Sequence, residues 1–117
     1  MTINLTNALP NSFFPSVGET LVVQGISEAQ AIQILGKGFG SFVGHASFAQ
    51  ILSERTGIEI PVNRAFAPSP MLTGQPTLVA AVTPPRRLPE GDVWSEEEIL
   101  AMPIVWVLVG PPESLAI

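Results

Sequence analysis

The chain has one histidine, His45, which directly follows Gly44 at the head of an amphipathic stretch, "GHASFAQILSERTG". Two readings are open for it. It is a polar residue that caps a helix, or it does acid–base chemistry beside a bound phosphate. A helix N-terminus offers free backbone N–H groups and a partial positive charge, which suits an anion. A glycine at position 44 lets a ligand approach the backbone closely. A second candidate is "RRLPEG", residues 86–91, which joins Arg86, Arg87 and Glu90 around a fixed turn. Guanidinium forks match phosphate oxygens bidentately. The alternative is a solvated surface loop. Arg64, in "VNR", is a third candidate, against the alternative of a charge at a strand end.

The charge balance narrows the ligand class. The net charge is −5, and the basic residues are only Lys37, Arg55, Arg64, Arg86 and Arg87. Non-specific nucleic-acid binding runs on basic surface, so DNA is not an expected partner. An anionic ligand must be met by a local cluster of these residues. There is no cysteine, which excludes disulfides, thiol nucleophiles and thiolate metal sites. Glu96, Glu97 and Glu98 suit the positive end of a helix. Adjacent helical positions splay around the axis and do not converge on one ion. No metal and no cofactor are expected. Trp94, Trp106, Phe42 and Phe48 read as packing residues.

The elements that must position these residues follow from periodicity. Residues 2–5 ("TINL") alternate as a short strand. It ends in the loop "TNALPNS", where Asn7, Asn11 and Ser12 are natural caps for a short turn. Residues 19–26 form a second strand. Residues 27–38 form a helix with Ser27 as N-cap. A glycine-rich loop, "GFGSFVG", leads to a helix over 45–57 that stops at Gly57. Residues 58–64 are a short strand or extended link, and 65–76 a turn-rich connection. The apolar runs 77–83 and 104–110 are buried strands. Between them lie the loop 84–94 and a short helix over 95–102, opened by a Ser95–Glu98 capping box. The order predicts one α/β (α+β) domain spanning residues 1–117, a mixed sheet of about five strands flanked by helices.

The chain is more apolar than a small domain needs. Hydrophobic residues make up 46% of its 117 residues and charged residues only 13%, with mean hydropathy +0.40. Its longest apolar runs are interrupted by proline and fall short of the roughly 20 residues that cross a bilayer. No membrane segment is expected. The start, "MTINLTNALP", lacks the basic flank and apolar core of a signal peptide. The expectation is a cytoplasmic oligomer that buries apolar surface between subunits.

Three segments, "LTNALP", "VGHASFAQILSERTGIEIPVNR" and "RRLPEGDVWSEEEI", stand in an order and spacing that resemble the viral type III anti-CRISPR ring nucleases and their host-encoded relatives. These enzymes degrade cyclic tetra-adenylate. The resemblance spans most of the chain. It implies a homodimer of mixed sheet and helices, with cyclic tetra-adenylate held between subunits. In a viral setting the location would be the host cytoplasm. It implies His45 as the catalytic residue, with Arg87 and Glu90, the arginine and glutamate of "RLPEG", organising the active site. It implies ligand contacts from Asn7, Asn11, Ser12, Gly44, Arg64 and Arg86. The chain departs from the family in the first loop, where Leu9 and Pro10 replace a small polar residue. It also has two prolines, Pro84 and Pro85, ahead of the arginines.

The implied reaction needs no metal, because the nucleophile belongs to the substrate. A ribose 2′-OH attacks the adjacent phosphorus, the 5′-oxygen leaves, and the product carries a 2′,3′-cyclic phosphate. The protein orients, stabilises charge and protonates the leaving group. Two other classes stand beside this one: a sponge that binds a cyclic nucleotide without cutting it, and a structural dimer in which His45 is only a cap.

Overall fold

A computed structural model describes residues 3–115; Thr2, expected in the first strand, lies outside the described residues. The strands are β1 (Ile3–Thr6), β2 (Val22–Ile26), β3 (Phe39–Ser41), β4 (Thr77–Val82) and β5 (Ile104–Gly110). The helices are α1 (Glu28–Leu35), α2 (Ala46–Thr56), α3 (Pro70–Thr73) and α4 (Glu96–Ala101). Single 3-10 turns lie at Asn11–Phe13 and Pro112–Leu115. The strands form one mixed sheet in the order β2-β5-β4-β1-β3. β1 is parallel to both β3 and β4, while β5 is antiparallel to β4 and β2.

Strand alternation sends successive side chains to opposite faces of the sheet. Leu5, Leu78, Ala80, Trp106 and Leu108 face the helices and pack with Ala31 and Leu35 of α1 and Ala49 and Leu52 of α2. Ile51, Trp94, Ile99 and Met102 extend this layer between α2 and α4. The opposite face has a smaller cluster of Phe13, Ala67, Val79 and Val109. No α1, α2 or α4 residue belongs to it. Val23 and Val105 are 55% and 59% exposed; their pairing with Val109 and Ala81 puts them on this face, opposite α1 and α2. Continuous burial of the two apolar runs therefore holds only in part. Thr77–Ala80 and Leu108–Gly110 are buried, whereas Ala81 and Val105 are open.

Capping explains where the helices start and stop. Ser27 and Ser95 each accept a hydrogen bond from the backbone N–H three residues on, and Gln30 and Glu98 return the bond to the cap. Gly57, at φ +72°, ends α2 in the left-handed region where glycine is unstrained.

Three assignments change. Residues 58–64 contribute one parallel bridge, Val43 to Val62, and no strand. The fifth strand is β3, inside the glycine-rich loop. Its pairing with β1 brings Gly40 opposite Asn4, where a side-chain carbon would approach Asn4 Oδ1 to 3.1 Å. Pairing with a distant segment overrides the local glycine signal. The 65–76 connection also contains the single turn α3, with Ser69 accepting from Met71 N–H, Pro70 in its first turn and Gly74 closing it at φ +72°. No described helix is long and apolar enough to cross a membrane.

Candidate functional site

Because β1, β3 and β4 are parallel, their carboxyl ends lie along one edge of the sheet. The loops leaving them carry Asn7, Gly44–His45 and Arg86–Glu90 respectively. Ligands of open sheets with parallel strands gather at such an edge, where neighbouring connections diverge. Here β1 is flanked by β3 on one side and β4 on the other. A cavity of about 310 Å³ opens between the first two loops, lined by Asn7, Phe42, Gly44, His45, Arg64 and Phe66 among others.

Each lining side chain is held by identifiable local structure. His45 is the N-cap residue of α2, with extended backbone (φ −117°, ψ 129°), and its carbonyl accepts the first helical bond from Ala49 N–H at 3.0 Å. Its imidazole makes no capping bond. The ring is exposed and packs edge-on against Phe48, with centroids 5.7 Å apart. The capping role therefore lacks the contact that would make it stabilising. The amides of the first turn of α2 receive no acceptor from this side chain, and no acidic residue stands there.

Arg64 reaches the cavity because Asn63 ties its segment to the sheet. Asn63 donates its backbone N–H to the Val43 carbonyl at 2.9 Å and its side-chain amide to the Ser41 carbonyl at 3.0 Å. Its Oδ1 accepts Ala65 N–H at 3.0 Å. A side-chain carbon on Gly44 would meet Arg64 Cα at 3.8 Å, an ordinary contact. Gly44 therefore matters here as open cavity wall and not as a steric necessity. Arg64 forms no ion pair with any described residue, so it brings a positive charge to this opening.

The remaining expected residues lie elsewhere. Asn11 and Ser12 are exposed in the 3-10 turn, which has Pro10 as its N-cap and no side-chain capping bond. They do not line the cavity, and neither do Arg86, Arg87 and Glu90. Arg86 is engaged by Glu98, with Nε to Oε2 at 2.9 Å and Nη2 to Oε1 at 3.2 Å, and its guanidinium carbon lies 4.9 Å from the centre of the Trp94 ring. The bond from Arg86 holds the Glu98 carboxyl below its ordinary range, aided by Ser95 N–H. The same bond raises the Arg86 guanidinium. Arg87 makes no ion pair with a described residue. Leu88 is partly buried and packs against the cluster of Ile51, Trp94, Ile99 and Met102. The turn closes with Asp92 N–H donating to the Pro89 carbonyl at 3.1 Å, beside Gly91 at φ +84°.

Sequence reasoning missed Asn63, Phe42 and Phe66 as cavity residues. The legible signal for Phe66 was an aromatic ring between two alanines in a turn-rich connection. Nothing in the sequence flagged the clamp made by Asn63.

Comparison with known proteins agrees with this architecture. No curated protein matches the sequence. The solved structure of B116 of Sulfolobus turreted icosahedral virus superposes with a TM-score of 0.67 at 20% identity, covering 94% of this chain and 99% of the viral one. At that identity the likeness speaks for the fold. The family model STIV B116-like matches residues 7–106, which include the first loop, the "GH" segment and the "RRLPEG" loop. The chain belongs to the STIV B116-like family.

Proposed function

We propose that this protein is a ring nuclease, which binds cyclic tetra-adenylate across a homodimer and cuts it to linear di-adenylates, ending type III CRISPR signalling. The observation that carries this reading is the meeting of His45 with Arg64, Asn7 and Gly44 in one cavity. Three different loops supply them. The resemblance of the three sequence segments to ring nucleases supplies the substrate.

The chemistry is a displacement at phosphorus. The 2′-hydroxyl gives its proton to solvent as its oxygen bonds to the adjacent phosphorus, the bond to the 5′-oxygen breaks, and a 2′,3′-cyclic phosphate remains. His45 donates a proton to the departing oxygen, a step that contributes roughly 10² to 10⁴ in rate. Arg64 and the first amides of α2 meet the charge on the phosphate. Alignment of the 2′-oxygen with phosphorus is the larger contribution, with effective molarities of about 10⁵ M or more available to well-oriented groups.

A cavity of about 310 Å³ has room for one nucleotide and not for a ring of four. That size favours a ligand shared by two subunits. The open valines on the sheet face opposite α1 and α2 favour the same arrangement. Phe42 and Ala67 belong to both the cavity wall and the cluster on that face, so the two features adjoin. In the dimer, Arg87 and Glu90 would complete the site from loops that stand apart from the cavity in a single chain.

The test is incubation with cyclic oligoadenylates of several ring sizes in EDTA, with products separated by chromatography. Di-adenylates ending in 2′,3′-cyclic phosphate are expected from the four-membered ring. Tight binding with no product in a single-turnover reaction would make the protein a sponge.

A further inference from the structure

Phe66 lines the cavity beside His45 and Arg64, yet 89% of it is exposed. Its backbone neighbours are not loose. Ala65 N–H is bonded to the Asn63 side chain, which is itself bonded to β3, and Ala67 is buried in the cluster with Phe13, Val79 and Val109. An apolar ring is thus presented to water by a segment anchored on both sides. A ring that served only the core would be covered, as Phe13 is.

A nucleotide combines an anionic phosphate with a flat base. The cavity offers a guanidinium at Arg64 and an unburied aromatic face at Phe66, two residues apart. We propose that Phe66 is the platform on which an adenine of the ligand stacks, so that it sets binding and base register while His45 and Arg64 address the phosphate. This rests on the reading of the ligand as an adenylate. Every base has a π-face, and stacking on an aromatic side chain is a sequence-tolerant source of affinity. The competing role for an exposed phenylalanine is an apolar contact between subunits.

The experiment compares wild type with Phe66→Leu, Phe66→Tyr and Phe66→Trp by calorimetric titration of cyclic tetra-adenylate and of linear tetra-adenylate, with sedimentation of each variant. Leucine keeps apolar bulk and loses the π-face, so Phe66→Leu should weaken binding by about 5- to 100-fold and leave the oligomeric state unchanged. Phe66→Tyr and Phe66→Trp should bind within about threefold of wild type, since both keep a stacking face. Wild-type affinity in Phe66→Leu overturns the proposal, and so does loss of affinity together with loss of the dimer. A wild type that binds the ring without cutting it, while Phe66→Leu binds weakly, overturns only the nuclease reading and supports the platform. A wild type that binds neither adenylate overturns both.

Discussion

Arg86 and Glu98 face each other in a two-bond pair, at 2.9 and 3.2 Å, and the same carboxylate accepts Ser95 N–H at 3.1 Å. One acidic side chain therefore completes the capping box of α4 and fastens the loop that carries Arg87 and Glu90. An isolated exposed pair contributes little to global stability. A pair that fixes a loop acts on local order instead. Glu98→Gln should raise amide exchange across residues 84–92 with little change in global unfolding. Unchanged exchange there would show that Leu88 packing and the turn at Gly91 hold the loop alone.

The same pair sets an acid dependence. Glu98 is lowered in the folded protein, first by the bond from Arg86 and then by Ser95 N–H. A carboxylate lowered by folding contributes stability that is present above its unfolded value and is lost as pH falls through its folded value. The loop should therefore hold at neutral pH and loosen below the ordinary carboxylate range. Arg86 is raised by Glu98, so its share is lost only at extreme alkalinity. Amide exchange of the loop against pH, in wild type and Glu98→Gln, tests this: the acid-dependent rise should be smaller in the variant.

In the proposed reaction, His45 separates catalysis from stability. Its imidazole makes no capping bond, so His45→Ala should change unfolding free energy by less than about 0.5 kcal/mol, as exposed substitutions do. Its single-turnover rate should fall by roughly 10² to 10⁴, while affinity for the uncut ring changes by less than about tenfold, because a leaving-group acid acts mainly in the transition state. A normal rate in folded, ligand-saturated His45→Ala would remove it from the chemistry.

Trp94 is 5% exposed, and its indole N–H has no partner among the described residues. A buried donor left unpaired costs about 1 to 3 kcal/mol. Trp94→Phe removes that donor, keeps a ring beneath Arg86 and gives up some packing volume. It should leave stability within about 1 kcal/mol of wild type, whereas Trp94→Ala should lose about 3 to 5 kcal/mol. Chemical denaturation of the two variants decides it. Equal losses would mean that the indole N–H is satisfied in solution.

The sheet face opposite α1 and α2 gives a test of assembly. Val105, near the start of β5, is 59% exposed on it in a single chain. Val105→Asp should leave the monomer folded and shift sedimentation from dimer to monomer at micromolar concentration. A dimer of unchanged affinity would move the interface to another surface.

Local signals were legible where the stabilising contact is itself local. The Ser95–Glu98 box, the Gly57 stop and the limits of β5 follow from residues within a turn or a strand of each other. β3 was not legible, because three residues with a central glycine become a strand only when β1 lies alongside. The site divides in the same way. Gly44, His45 and Arg64 could be named as candidates from residue type, and Asn7 only through the family resemblance, but their meeting depends on the parallel pairing of β1 with β3 and on the Asn63 clamp. Arg86 and Arg87 are indistinguishable as neighbours in sequence. Only the position of Glu98 and Trp94 pairs Arg86 at the surface and leaves Arg87 without an ion-pair partner among the described residues.

At the far end of α2 from His45, Arg55 donates to the carbonyls of Ile99 and Met102 and pairs with Glu28 at 2.9 Å, while Glu28 also accepts Trp106 Nε1 at 3.1 Å. This junction pins the helix to α1, α4 and β5, and α2 behaves as a rod held in a vice. Eleven residues span about 16 Å at 1.5 Å per residue, so a rocking of only about 3 to 4° about the pinned end would swing His45 by roughly 1 Å. A misplacement of that size can cost about 10² in rate. If His45 is the proton donor proposed above, the stiffness of this remote polar knot is a mechanical tolerance on the imidazole, and Arg55, which lines no part of the cavity, would set how steadily it is aimed.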